Sequence, residues 1–525
     1  MENSGTTQSC WMNVDVTEYQ PLTGDTEADV CVVGAGIAGL STAYQLALEG
    51  KRVVVLDARG VGGGETCRTT AHLSNAFDDR YHHLEHMHGE EISCIVAHSH
   101  TAAIDRIEAI AQFERIACDF RRVDGYLFTP PDASNAELGK ELEAAHRAGL
   151  HNVILVENPP GTRFPLGPAL KFSGQGQINP MAYLEGLAKA FVTRGGRIYG
   201  GTHVDDVADG SPTRVTTRDG YTVTAAATVV ATNTPINNRF IIHTKQAPYR
   251  SFVIGMAVPK GAVPWALWWD TLDPYHYVRL AGALDNGLNL LIAGGEDHKT
   301  GQADDAEERF ARLASWVRER FPVVGEVLYQ WSGQIMEPVD ALAFIGRNPG
   351  DNHVYIATGD SGNGMTHGTI AGMLLSDLIG GRDNPWRQAY DPARKALMAV
   401  GEFAKENINV AAQYTDWLTA GNVDDLHAIP VGEGAIVRHH LNKVAVYRDP
   451  GGALWALDPS CPHLGCIVEW NSGEKTWDCP CHGSRFDKSG QVLNGPAVAN
   501  LNQVEVPPVQ VSGWKPASEN KSRHG

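Results

Sequence analysis

Residues 29–57, DVCVVGAGIAGLSTAYQLALEGKRVVVLD, restrict the fold more than any other part of the 525-residue chain. An apolar, β-branched run from Val30 to Val33 meets a glycine turn. A helical pattern through Leu40, Ala43, Leu46 and Ala47 follows, and Val53 to Leu56 form a second strand. The pattern predicts one βαβ unit. Gly34, Gly36 and Gly39 make G-x-G-x-x-G between strand and helix, where only glycine lets the backbone approach a pyrophosphate and the helix start favours its charge. Asp57 closes the second strand, placed to accept a hydrogen bond from a ribose hydroxyl. A tight turn without ligand would need the glycines but not the acid in register.

The rest of the composition narrows the class. The length predicts about three domains. Hydrophobic residues at 43% and charged residues at 20% indicate an ordinary globular chain with neither repeats nor low complexity. A net charge of -18 argues against nucleic acid and anionic lipid as partners. The first twenty residues lack a basic and apolar leader, and no run of about 18 apolar residues could span a membrane. The expected location is the cytoplasm. Of nine cysteines, Cys461, Cys466, Cys479 and Cys481 crowd near the C-terminus, which in a reducing compartment points to metal.

No second G-x-G-x-x-G follows a strand, so a nicotinamide-binding fold is not expected beside the first. The stretch 353–381, HVYIATGDSGNGMTHGTIAGMLLSDLIGG, instead reads as strand, glycine loop and amphipathic helix. With VGGGETCRTT after the second strand, GQINPMAYLEGLAKAFVTRGGRIY and TVVATNTPI, residues 29–385 resemble the D-amino-acid-oxidase-like flavoproteins, the family of glycine oxidase, sarcosine oxidase and dimethylglycine dehydrogenase. The resemblance implies an α/β FAD-binding Rossmann-type domain and an antiparallel β-sheet substrate domain, with residues 240–340 roofing the substrate. It implies that Gly34, Gly36, Ile37, Ala38, Gly39, Asp57, Ala58 and Arg59 hold the FAD adenosine and pyrophosphate. Thr66, Arg68 and Thr69 would follow the pyrophosphate, Val204 would meet the adenine, and Ala231 and Thr232 would pass the flavin. Gly362, Asn363, Gly364, Met365 and Thr366 would face its ring. Arg68 stands near the family's covalent attachment histidine, so non-covalent FAD is expected, with His72 close by.

Residues 1–28 read as an N-terminal extension and 386–421 as a helical linker ending in ENINVAAQYTDWL. From residue 422 to 525, short strands between glycine and proline turns, from GEGAIV to QVEVPPVQV, predict a small all-β domain. Cys461-x-His463 and Cys479-x-x-His482 offer two thiolates and two imidazoles from two loops. Zinc would take all four; a Rieske [2Fe–2S] cluster gives the cysteines to one iron and the histidines to the other, and C-x-H with C-x-x-H spacing favours the cluster. CPHLGC and CPCHGSRFD resemble the Rieske proteins of respiratory and photosynthetic complexes. That resemblance implies a Cys466–Cys481 disulfide and a Ser484 hydroxyl bonded to a cluster sulfide. Phe486 stands where a tyrosine usually donates to a ligand cysteine, and a lower potential is expected from its absence.

A flavin accepts two electrons and a cluster carries one. Together they imply a dehydrogenase that oxidises an amine or amino acid and passes electrons through the cluster to a soluble one-electron carrier or quinone-type acceptor. LNLLIAGGED lacks the lysine that promotes reaction with oxygen in the sarcosine oxidase branch. Arg250, Arg279 and Arg347 are candidate carboxylate clamps, and Trp265, Trp268 and Trp269 a candidate ammonium cage or plain core. Tyr249, Tyr275, His276 and Tyr277 could orient substrate. His367 could act as a base, a donor to the flavin, or a group lining the path to the cluster. Two other readings stay open: a cluster-fed flavin oxygenase or reductase, and an amine oxidase whose Rieske domain senses or docks. A wide gap between flavin and cluster would imply an oligomer.

Overall fold

The computed structural model describes all residues except 1–3, 131–134, 161–165, 238–241, 285–286, 396–399, 414–420, 424–425, 440–441 and 507–525. Parts of the expected roof (240–241 and 285–286), of the linker (396–399 and 414–420) and of the last expected strand (507–511) therefore lie outside the described residues. Among the described residues no helix is long and apolar enough to cross a membrane.

An eight-stranded sheet is built around the strand Thr26–Val33, which pairs in parallel with Val53–Leu56 on one side and Thr222–Val230 on the other. Val354–Thr358 extends it in parallel beyond Thr222–Val230. The central strands are buried on both faces, which explains their near-continuous valine runs. Helix Ile37–Leu48 follows the glycine turn, and helix Gly364–Ile379 crosses it closely. A Cβ at Gly372 would stand 2.7 Å from the Ser41 backbone, so the crossing needs glycine. Helix Pro180–Thr193 begins with proline at its first turn, and Asn179 caps it by accepting from the Ala182 amide at 3.1 Å.

A nine-stranded sheet forms the roof, and it reaches beyond residues 240–340. Arg121–Phe128, Ala169–Gln177, Ile154–Val156 and His72–Leu73 join Gln246–Pro259, Ala266–Asp270, His276–Ala283, Leu288–Lys299 and Val327–Pro338. Its pairings are antiparallel except that of Ala266–Asp270 with Arg121–Phe128, which is parallel. The N-terminal half of the chain thus completes the roof, because an edge strand at Ala266–Asp270 would leave its backbone groups unpaired.

The C-terminal domain has two antiparallel sheets, Gly434–His439 with Asn442–Arg448 and Leu454–Leu457, and Glu469–Asn471 with Thr476–Asp478, Arg485–Asp487 and Val492–Asn494. Helix Val400–Gln413 precedes it, in the span expected to be a linker. The N-terminal extension runs along the domain junction. Arg485 Nη1 donates to Ser4 O at 2.6 Å, Thr7 N donates to Glu474 Oε2 at 3.1 Å, and Ser4 Oγ donates to Glu65 Oε1 at 2.9 Å.

Candidate functional site

A cavity of about 300 Å³ runs from the glycine turn to the roof sheet. At one end it is lined by Gly34, Gly36, Ile37, Ala38, Asp57, Ala58, Arg59, Thr66, Arg68, Thr69 and Val204. Ala231 and Thr232 lie along its side, and Gly362, Asn363, Gly364, Met365 and His367 stand toward the roof. Gly34 has φ +110°, and a Cβ there would lie 2.3 Å from Ala231 O. A Cβ at Gly36 would meet only Thr66 Oγ1, at 3.1 Å, so that glycine keeps space open on the cavity side. Gly36 provides no side-chain cap to the helix it precedes, which suits an anion at the helix start. Asp57 accepts from the amides of Ala35, Arg59 and Gly60 at 2.7–2.8 Å, leaving acceptor capacity on its two oxygens for a ribose hydroxyl. The residues present fit FAD.

Two expected contacts are not cavity walls. Gly39 is buried behind the turn, where a Cβ would stand 1.9 Å from Gly34 O; it permits helix and strand to pack. Thr366 turns its hydroxyl onto Asn363 O at 3.0 Å.

The substrate candidates divide sharply. Trp269, Tyr275, Tyr277, His72 and Ser251 line the roof end, and Tyr277 Oη lies 2.7 Å from Ser251 Oγ. Arg250 does not line the cavity: its guanidinium donates to Ser332 and Glu474. Arg279 donates to the carbonyls of Ala71 and Ile178, and Arg347 is exposed. None of the three guanidiniums lines the cavity. Tyr249 stands under the Lys299 ammonium, 5.8 Å from the ring centroid, outside the cavity. Trp268 is core, Trp265 stacks under Arg121, and His276 sits between Asp270 and Glu296 on the Trp316 ring.

The roof end also carries acids that sequence reasoning missed. Asp78 and Asp360 line it, and Tyr275 Oη donates to Asp78 Oδ2 at 2.9 Å. Burial, then the neighbouring Asp79, pushes Asp78 up to about 6, and burial pushes Asp360 up to about 6. Behind them Ser361 Oγ lies 2.8 Å from Asp79 and 2.7 Å from Glu337. Burial pushes both carboxyls up from the ordinary carboxylate range.

His367 Nδ1 lies 2.9 Å from Asp360 O, which can only accept, so this nitrogen carries the hydrogen. Its Nε2 faces His100 Nε2 at 3.3 Å, so His367 is committed at both nitrogens and burial holds it down to about 4. It braces the loop bearing Asp360.

The metal candidates converge in the C-terminal domain. The rings of His463 and His482 are 5.0 Å apart, and Cys461 and Cys479 are buried in the same core. The Cys466–Cys481 disulfide joins the two loops. Its sulfurs lie within 4.8 Å of Cys479 Sγ, but a disulfide supplies no thiolate, leaving Cys461 and Cys479 as the thiolate pair. Ser484 Oγ, fully buried, accepts from Ala497 N at 3.0 Å. Two thiolates and two imidazoles on disulfide-joined loops fit a [2Fe–2S] cluster better than a closed zinc site.

Comparison with known proteins agrees with both halves. The FAD dependent oxidoreductase family model matches residues 29–378, and the Rieske [2Fe-2S] domain model matches 416–505. The chain belongs to the FAD-dependent oxidoreductase family and carries a Rieske [2Fe–2S] domain. This flavoprotein is 31% identical over 502 residues to the Bacillus subtilis (strain 168) protein YhfW, named as a Rieske 2Fe-2S iron-sulfur protein, covering 94% of this chain and 96% of that one. It is 27% identical over 394 residues to gamma-glutamylputrescine oxidoreductase of Escherichia coli (strain K12), covering 71% and 89%. Glycine oxidase from Geobacillus kaustophilus superposes with a TM-score of 0.59 at 17% identity, over 70% of this chain and 99% of that one, which shows a shared fold. The flavoprotein's cofactors are FAD and a Rieske cluster.

Gln334 is one of the residues that connect the cavity with the cluster-ligand loops. Gln334 lines the FAD cavity, and its Nε2 donates to Gly483 O at 2.9 Å, next in sequence to His482. Thr300 Oγ1 donates to Gln334 Oε1 at 3.1 Å and fixes the amide. His243, from the loop before Gln246–Pro259, places its ring 5.0 Å from that of His463 and 6.0 Å from that of His482. Neither Gln334 nor His243 belongs to a sequence motif.

Proposed function

We propose that the protein is a dehydrogenase of a cationic amine, whose electrons leave through the Rieske domain of the same chain to a one-electron or quinone-type acceptor. The observation that carries this reading is Gln334, a cavity wall on one side and a hydrogen-bond donor to the cluster loop on the other. When bound, FAD accepts two electrons as a hydride and the cluster carries them singly.

In this reading Gly34, Gly36, Ile37, Ala38, Asp57, Ala58, Arg59, Thr66, Arg68, Thr69 and Val204 hold FAD, with Ala231, Thr232 and residues 362–365 along the flavin. Cys461, His463, Cys479 and His482 hold the cluster. The roof-end acids favour an ammonium over a carboxylate, since Arg250, Arg279 and Arg347 all point elsewhere while Asp78 and Asp360 face the cavity. Trp269, Tyr275 and Tyr277 offer aromatic faces to the same charge. The name of the Escherichia coli relative, an oxidoreductase of a substituted diamine, is consistent with this preference. No lysine lines the cavity among the described residues, in keeping with a dehydrogenase.

Anaerobic mixing with a panel of amines and amino acids tests the reading. Bleaching of the flavin followed by the electron paramagnetic resonance signal of the reduced cluster, with amines and not with α-amino acids, is expected. Flavin bleaching reversed only by oxygen, with a silent cluster, would overturn it.

A further inference from the structure

We propose that the FAD site is shared between domains: residues 492–498 of the Rieske domain form the outer wall around the adenosine half of FAD, so that retention of FAD depends on Rieske docking. This inference holds whichever way electrons flow, because it concerns binding alone.

The cavity end that carries Asp57, Arg59 and Val204 is also lined by Leu493, Asn494 and Val498. Leu493 and Asn494 belong to the edge strand Val492–Asn494, Val498 follows it, and all three are held against the FAD domain. Arg59 Nη1 donates to Leu493 O at 2.8 Å, Asn494 Nδ2 donates to Glu65 Oε1 at 2.9 Å, and Arg218 Nη2 donates to Val498 O. The fit is close: a Cβ at Gly495 would lie 3.3 Å from Ile236 Cγ2, itself a cavity wall. Leu493 and Val498 are half-buried cavity walls with apolar side chains, in the cavity that the FAD domain lines with Asp57 and the glycine turn. A flat apolar ring inserted there would cover those side chains and be covered by them.

The same loop reaches the second cluster-ligand loop. Ala497 N donates to Ser484 Oγ, two residues past His482. A ligand that binds only the docked arrangement stabilises docking, and docking tightens the ligand by the same factor. FAD and the Rieske domain therefore hold each other in place.

The test uses the full-length protein with its cluster. Leu493→Ser and Val498→Ser are each stripped of FAD and titrated with it, flavin fluorescence reporting binding and cluster electron paramagnetic resonance reporting an intact Rieske domain. The FAD dissociation constant is expected to rise about tenfold, or ~1.4 kcal/mol. An unchanged constant with an intact cluster signal overturns the proposal. Hydrogen exchange on the wild-type apoflavoprotein gives a readout free of mutation: ADP, a probe of the adenosine half alone, is expected to protect residues 492–498, and exchange there that is indifferent to ADP also overturns it.

Discussion

Arg250 Nη2 lies 3.2 Å from Glu474 Oε1, and these two side chains, each 1% exposed, meet across the junction between the roof sheet and the Rieske domain. Arg68 Nη1 reaches the same oxygen at 3.0 Å, and Ser332 Oγ donates to it at 2.6 Å. Burial by itself would raise the Glu474 carboxyl, but Arg68, Arg250 and Arg485 outweigh it and hold the group at about 2. Burial draws Arg250 down to about 10, which still leaves it charged at neutral pH.

Glu474→Gln should therefore destabilise the protein by about 3–5 kcal/mol, the usual cost of leaving a buried charge unpaired. Denaturant unfolding followed by flavin fluorescence measures it. The sign with pH follows from a folded value below the ordinary 4.5. The stabilisation is complete above about 4.5 and is lost as pH falls toward about 2. Glu474→Gln should flatten that part of the acid-unfolding curve, and an unchanged curve would show that the acid limb has another origin.

Ammonium recognition by Asp78 and Asp360 carries its own pH signature. Both are pushed up to about 6, so they are neutral below that and anionic above it. Affinity for tetramethylammonium, an unreactive cation, should rise about tenfold as pH climbs through that range, as one Coulombic contact of ~1.4 kcal/mol is switched on. Perturbation of the flavin absorbance reads binding. A profile flat from acid to neutral pH would remove these carboxylates from recognition.

Gln334→Leu separates conduction from chemistry. Reduction of the flavin by substrate should be unaltered, whereas the appearance of the reduced cluster should slow by about tenfold or more, small displacements between reacting centres being expensive. An unaltered cluster potential would show that the loop is intact. Equal rates in variant and wild type would route the electrons elsewhere, with His243 the next position to change.

Phe486 is fully buried in the same core as Cys461 and Cys479, opposite Trp477 on the neighbouring strand. Phe486→Tyr adds a donor beside thiolate sulfur, which favours the reduced cluster. The potential should rise by tens of millivolts, ~59 mV corresponding to ~1.4 kcal/mol for one electron. Redox titration followed by electron paramagnetic resonance measures it, and no upward shift would mean that the hydroxyl does not reach the sulfur.

The parts legible in the sequence are those whose requirement is local. Gly34, Gly36 and Asp57 announce a nucleotide turn because a few consecutive φ angles and one amide-rich corner create it, and the cavity walls lie where that motif puts them. Cys461, His463, Cys479 and His482 are legible because metal ligands arrive in pairs on single loops. Residues whose meaning depends on a distant partner were not. Arg250 has the composition of a carboxylate clamp, and only folding reveals that its carboxylate is Glu474, 224 positions away in the chain. Trp268 is core while Trp269, on the opposite pleat of the same strand, faces the cavity.

The sequence by itself thus determined the two cofactors, since each is held by short motifs whose geometry neighbouring residues dictate. The tertiary structure alone decided how the sites are joined. Arg68 and Arg250 on Glu474, Gln334 on Gly483, and the loop at Leu493 on Arg59 each pair residues from different domains, and a side chain's charge and size do not record which distant surface it will meet.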